Sequence, residues 1–287
     1  MTLKSVKTPA NGDQNHDEEA EHSASLRKIL PNLLTLVALA AGITSIQFAF
    51  DGQWDRAVIA IVIAAILDSL DGATARLLHA TSEFGAQLDS LSDFLAFGVA
   101  PALVLYSWVL QESGPVGWIA MMAYAAACAL RLARFNVTQH QDIPKWKKGF
   151  FSGIPAPAGA GLALLPIIIW LQFPAFFEQM ASANFMVGIW ILLIGALMVS
   201  RIPTWSTKQI KLPAKMMMPA LAAAALMIAA LIQAPWPTLT VMALTYLICI
   251  PLAIRHFLKL QKQNADTEDL ADLAIGALSY DDLDKKN

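Results

Sequence analysis

The sequence predicts an all-α membrane protein, a polytopic helical bundle of about eight transmembrane helices, and three observations carry that prediction. Hydrophobic residues make up 56% of the 287-residue chain and charged residues only 15%, against about 25% charged in an average soluble protein. Apolar stretches of about 20 residues, the length that crosses a bilayer, recur along the chain. The loops between them alternate in basic content, as they do in a chain that crosses a membrane repeatedly.

In order, the expected spans are residues 30–50, 55–78, 86–110, 116–137, 153–172, 184–200, 215–233 and 237–257. Residues 1–28 contain MTLKSVKTPANGDQNHDEEAEHSAS, which lacks the apolar core of a signal peptide and reads as a disordered cytoplasmic tail. A transmembrane catalytic domain is expected over 29–258 and an acidic cytoplasmic tail over 259–287. Arg27 and Lys28, Arg76, the run Lys145, Lys147 and Lys148, then Arg201, Lys208, Lys211 and Lys215, and finally Arg255, Lys259 and Lys262 fall on one side of this arrangement. The loops opened by Asp51, Gln111, Phe173 and Ala234 contain no Lys or Arg, although Arg56 directly follows the first. By the positive-inside rule both termini are cytoplasmic. Trp54, Trp108, Trp118, Trp170 and Trp236 lie toward span ends, as interfacial anchors do.

A net charge of −2 and a pI of about 6.2 give no reason to expect a nucleic-acid partner. Cys128 and Cys249 stand in apolar runs, with neither a disulfide pattern nor a zinc spacing. The histidines occupy tails, loops and span ends without metal-ligand spacing.

The chemistry concentrates between Asp68 and Asp93, in DSLDGATARLLHATSEFGAQLDSLSD. Asp68 and Asp71 are three apart, and Asp89 and Asp93 four apart, so on two helices each pair shares a face. Both pairs sit near the cytoplasmic ends of candidate spans. An aspartate costs about 2.5–3.5 kcal/mol at the centre of a membrane helix and less near the interface. Four such acids call for a cation, and Arg76 is the only permanently charged base among them. Carboxylate oxygens suit a hard divalent ion, Mg²⁺ or Mn²⁺.

At Asp68, Asp71, Gly72, Ala75, Arg76, Gly85, Asp89 and Asp93 the sequence matches DxxDGxxAR, eight residues, GxxxDxxxD. This is the pattern of the CDP-alcohol phosphatidyltransferase family, which the chain resembles at every position of the motif. The resemblance implies that family's helical membrane fold and a site for two Mg²⁺ or Mn²⁺ ions. Asp68, Asp71 and Asp89 would ligate the metals, and Asp93 would complete the site and act as general base. A pyrophosphate under attack needs its charge neutralised, which suits paired metal ions.

The resemblance extends CDP-diacylglycerol binding over Asn32, Thr35, Asp68, Asp71, Gly72, Ala75, Arg76, Ser82, Gly85, Gln87 and Asp89. Gly72 and Ala75 leave room for close approach of the nucleotide, and Arg76 can pair with a phosphate. Asn32 and Thr35 stay open between a nucleotide contact and local backbone bonding. Ser82 and Gln87 stay open between substrate contact and a solvated turn.

PNLLTLVALAAG from Pro31, ALRLARFN from Ala129, GIPAPA from Gly153 and LMVSRIPTWSTK from Leu197 look like stretches of bacterial family members that use serine as acceptor. The resemblance therefore covers about residues 27–215, and implies transfer of a phosphatidyl group from CDP-diacylglycerol to L-serine by a homodimer in the bacterial inner membrane. A serine acceptor needs a cationic receptor for its carboxylate. Arg131, Arg134, Asn136, Arg201 and Lys208 are the candidates, although the arginines have an alternative in pairing with the aspartates or reaching lipid headgroups. Two rival readings remain: the same chemistry on glycerol 3-phosphate or inositol phosphate, and an ion-coupled transporter using the acids as its pathway.

Overall fold

The computed structural model describes residues 11–80, 82–138, 149–175, 182–205 and 216–284, with side chains described between residues 29 and 263. The described residues are helical almost throughout. Helix α1 (Asn11–Phe50) turns back into α2 (Trp54–Leu77). The two lie along one another on small residues, with Ala38 and Ala49 buried on α1 and Ala57, Val58, Ala60, Ile61 and Ala64 buried on α2. Between membrane helices such residues let backbones approach closely, where packing and not water exclusion drives association.

A third span is built in pieces: α3 (Glu83–Asp93), a π-helical segment (Phe94–Val99) and α4 (Ala100–Trp108). Within the π segment the Ala100 amide reaches back five residues to the Leu95 carbonyl. Pro101 has no amide proton, so it cannot bond the carbonyl four residues earlier, that of Phe97. The buried Tyr124 hydroxyl supplies that donor at 2.9 Å. Tyr124 belongs to α5 (Pro115–Thr138), which runs through the middle of the bundle and packs against the π segment and α8 (Ala183–Val199).

The stretch 153–172, expected as one span, is two eight-residue helices, α6 (Ala156–Ala163) and α7 (Leu165–Gln172). Pro166 is the cause: it leaves the Leu162 carbonyl without its intrahelical donor. The Trp190 indole N–H of α8 takes that place at 2.8 Å. In a lipid environment such groups must be satisfied internally.

The segments before α6 and after α8 form a feature absent from the expected architecture. Strand β1 (Phe150–Ser152) pairs antiparallel with β2 (Pro203–Trp205), Phe150 opposite Trp205 and Ser152 opposite Pro203. This two-stranded ribbon rests against the last helix, α10 (Pro235–Asp284), which follows α9 (Met217–Gln233). Helix α10 is also tied to α7 by a hydrogen bond from Gln172 Nε2 to Thr240 Oγ1 at 2.8 Å.

Among the described residues, five helical segments are long and apolar enough to cross a membrane: Ile29–Phe50, Trp54–Leu77, Glu83–Trp108, Pro115–Thr138 and Pro235–Gln263. Helices α8 and α9 are apolar but shorter. The expectation of about eight comparable spans therefore resolves into five full-length segments, two shorter helices and one proline-broken pair. Helix α1 begins at Asn11 and α10 runs to Asp284, so the limits drawn at 28/29 and 258/259 fall inside helices and not at breaks between elements.

Candidate functional site

The last turns of α2 and the length of α3 bring the aspartates together. One ligand oxygen from each of Asp68, Asp71 and Asp89 lies within 4.8 Å of the other two. Asp71 is buried, while Asp68 and Asp89 are half-buried. The Asp93 carboxyl, one helical turn beyond Asp89, comes within hydrogen-bonding reach of Asp68. It adjoins the three-acid group from the side where α3 passes into the π segment. Three carboxylates this close, with hard oxygen donors alone, form a donor set that fits Mg²⁺ or Mn²⁺.

Helix α1 supplies the support. Thr35 Oγ1 donates to Asp71 Oδ2 at 2.6 Å and lies 3.1 Å from the Pro31 carbonyl. A hydroxyl has one proton, and the shorter contact to the charged acceptor takes it. Thr35 thus stands behind a metal-ligand candidate, which holds the carboxylate in one orientation. The buried Ser92 hydroxyl donates to the Thr35 carbonyl at 3.2 Å, pinning α3 to α1 beside Asp93.

The turn between the aspartate pairs is arranged by Ser82, which caps α3 by accepting from the Gly85 amide at 3.0 Å. A Cβ on Gly85 would sit 2.9 Å from Asn32 Oδ1. Glycine there is what lets the first turn of α3 rest against Asn32. A Cβ on Gly72 would lie 3.5 Å from Arg76 Nη1, so Arg76, exposed at the end of α2, folds back along its own helix. Ala75 is half-buried beside it and Gln87 is exposed.

The residues expected to receive serine separate into distinct places. Arg131 is buried, with Nε donating to the Ile154 carbonyl at 2.8 Å and its guanidinium 5.4 Å from the centre of the Phe135 ring. Arg134 turns toward α8, where Nη1 donates to the Val199 and Ser200 carbonyls at 2.6 and 3.3 Å. A cation at those terminal carbonyls also complements the helix dipole. Asn136 Nδ2 donates to Ser90 Oγ at 2.9 Å, so it meets the aspartate helix one residue past Asp89. Arg201 is exposed, and Lys208 lies outside the described residues.

The structure therefore places Arg131 and Asn136 around α3, while Arg134 closes the end of α8. Ser90, Ser92 and Tyr124 join this neighbourhood without having been singled out. A serine inside an apolar helix carries no pattern that separates a bridge from an ordinary bond to its own backbone, and Tyr124 becomes informative only once Pro101 is known to face it.

Comparison with known proteins agrees with this geometry. The family model described as CDP-alcohol phosphatidyltransferase matches residues 28–193, and a second, CDP-alcohol phosphatidyltransferase 2, matches residues 215–251. The second match falls on the last two spans, beyond the residues 27–215 that carry the motifs. A CDP-diacylglycerol--serine O-phosphatidyltransferase of Mycobacterium leprae is 40% identical over 230 residues, covering 80% of this chain and 75% of the relative. The protein of the same name from Mycobacterium tuberculosis is 38% identical over 229 residues, 79% of each chain. That of Helicobacter pylori is 38% identical over 183 residues, 64% of this chain and 74% of its own.

Proposed function

Since the chain belongs to the CDP-alcohol phosphatidyltransferase family, we propose that it is a phosphatidylserine synthase, transferring the phosphatidyl group of CDP-diacylglycerol to the hydroxyl of L-serine and releasing CMP. The observation that carries this reading is the convergence of Asp68, Asp71 and Asp89, with Asp93 alongside, at the ends of apolar helices. A lipid pyrophosphate can reach such a place while its acyl chains stay in the bilayer.

Asp93 accepts the proton of the serine hydroxyl. The serine oxygen forms a bond to the β-phosphorus, the bond from that phosphorus to the CMP oxygen breaks, and CMP departs with the electron pair. Divalent cations held by Asp68, Asp71 and Asp89, with Asp93 completing the set, would neutralise the pyrophosphate and stabilise the leaving phosphate. Thr35 keeps Asp71 aimed, and Ser92 keeps Asp93 beside it by fastening α3 to α1. Asn32, Ser82 and Gly85 form the nucleotide side of the site, with Gly72 and Ala75 leaving space and Arg76 available to a phosphate oxygen. The alternation of basic loops supports a cytoplasmic site and cytoplasmic termini in the bacterial inner membrane. Family resemblance supports a homodimer.

Purified protein in detergent, stripped with EDTA and offered CDP-diacylglycerol with L-serine, glycerol 3-phosphate or inositol phosphate, tests this directly. CMP release is expected with serine, and only after Mg²⁺ or Mn²⁺ is restored. No release with serine under any cation overturns the proposal. Release without added cation after complete stripping overturns the metal assignment alone.

A further inference from the structure

Two polar groups inside the bundle have hydrogen-bonding capacity that the fold leaves unused, and they lie together. Arg131 on α5 is 6% exposed, and among the described residues its one hydrogen bond runs from Nε to Ile154. A guanidinium has five N–H donors, so its Nη groups remain uncommitted while the bonded Nε and the Phe135 ring fix the plane of the fork. Tyr246 on α10 has a hydroxyl shielded from solvent with no hydrogen-bond partner. That hydroxyl approaches Thr204 of β2 without forming a proper hydrogen bond. The Thr204 proton is committed to the Gly153 carbonyl at 2.8 Å. Tyr246 and Arg131 lie within electrostatic reach of one another, and Arg131 within reach of Asp93.

A buried donor without an acceptor is unfavourable, and the Tyr246 hydroxyl, with the spare Nη donors of Arg131 in the same neighbourhood, points to a ligand that supplies the acceptors. We propose that Arg131 and Tyr246 together form the receptor for the carboxylate of the acceptor amino acid, the Nη groups donating as a fork and the Tyr246 hydroxyl donating alongside. The assignment rests on the synthase reading above. It accounts for acceptor choice, because in serine only two carbon atoms separate the carboxylate carbon from the reacting hydroxyl oxygen. A receptor for one must therefore lie near the base for the other, and Arg131 is bracketed opposite the Asp93 stretch by Cys128, which meets Gly98, and Asn136, which bonds Ser90. An acceptor alcohol without an anionic group would leave both groups unpaired. The last transmembrane helix thereby enters the site through Tyr246, reaching it past the β1–β2 ribbon.

The Tyr246→Phe variant removes one oxygen and nothing else. The KM for L-serine is expected to rise about tenfold or more, as for loss of a hydrogen bond to a charged group. The kcat and the KM for CDP-diacylglycerol should stay within roughly twofold, the pattern of lost acceptor binding. The melting temperature of the substrate-free protein should hold or rise, since an unpartnered buried hydroxyl has gone; a purely structural role predicts a fall. Serinol, which is serine with its carboxylate replaced by a hydroxymethyl group, is the second probe: the wild type should discriminate against it, and Y246F should narrow that discrimination. An unchanged KM for serine, or unchanged discrimination, overturns the proposal. Should Y246F fail to accumulate, equal kcat/KM for serine and serinol in the wild type overturns it just as well, and marked preference for serine supports it. No CMP release with serine from the wild type overturns the synthase reading and this inference together, whereas normal release with an indifferent Y246F overturns the receptor alone.

Discussion

Replacing Thr35 by Val isolates the contribution of one hydroxyl to the aspartate cluster. The two side chains have nearly the same shape, so α1 keeps its packing, and the carbonyl that accepts from Ser92 belongs to the backbone and stays in place. What disappears is the 2.6 Å hydrogen bond to Asp71 Oδ2. Thr35 and Asp71 are each only 4% exposed, so water cannot readily substitute for the lost donor. A hydrogen bond to a charged group contributes about 1.5–3 kcal/mol, which at 1.4 kcal/mol per factor of ten is roughly 10- to 150-fold in an equilibrium constant. Loss of a residue that orients a metal ligand falls in a similar range, about 10- to 100-fold. In EDTA-stripped enzyme titrated with Mn²⁺, the half-saturating concentration for CMP release should rise by that factor in Thr35→Val. Thr35→Ser, which retains the hydroxyl, should stay near wild type. Turnover at saturating Mn²⁺ should largely recover. A Thr35→Val enzyme with the wild-type Mn²⁺ dependence would refute the reasoning, because it would mean that Asp71 needs no support or holds no metal.

Three further expectations concern other parts of the site. Asp93→Asn should lower kcat about 10²- to 10⁴-fold, the usual contribution of a positioned general base, with a smaller change in the KM for CDP-diacylglycerol; a variant retaining most of its turnover would remove Asp93 from that role. Gly153→Ala should destabilise the protein by at least about 1–3 kcal/mol from the strain of a non-glycine residue at positive φ. Here φ is +79°, and a Cβ would also press on the Met198 and Ser200 carbonyls at 2.5 and 2.9 Å, which no rotamer can relieve; a melting curve matching wild type would contradict this. Arg134→Ala should cost about 1.5–3 kcal/mol by leaving the Val199 and Ser200 carbonyls without their charged donor, with Arg134→Lys recovering part of it. If Arg134→Ala instead raised only the KM for serine and left thermal stability alone, its assignment to the end of α8 would be wrong.

The site's acids were legible in the sequence because helical spacing is periodic: once α2 and α3 are helices, offsets of three and four place Asp68 with Asp71 and Asp89 with Asp93. Ser82 was open in the sequence between a substrate contact and a solvated turn, and its bond to the Gly85 amide, although local, is a cap that the turn's composition alone did not single out. The contacts of Arg131 and Arg134 were not legible. Their partners are backbone carbonyls at Ile154, Val199 and Ser200, and a carbonyl is the same group in every residue. The β1–β2 ribbon was equally silent, because two three-residue strands some fifty residues apart have no periodicity to detect. The break between α6 and α7 at Pro166 was missed because the apolar residues on both sides together satisfy the length criterion for a single span. Tyr246 became informative only through what its hydroxyl lacks, a property of packing that no pattern in the sequence records.

Pro101 and Pro166 also bear on how the chain assembles. Between helices in lipid, apolar side chains offer little preference for one rotation or vertical offset over another, because tails and leucines are equally greasy. A carbonyl stripped of its intrahelical donor is different: it is one fixed point on an otherwise uniform cylinder. Tyr124 answers the exposed Phe97 carbonyl, and Trp190 the exposed Leu162 carbonyl. Each proline thus acts as an address, readable only when the partner helix arrives at one depth and one rotation. One address joins α5 to the third span immediately beyond Asp93, and the other joins α8 to α6, just past the turn that Arg131 holds.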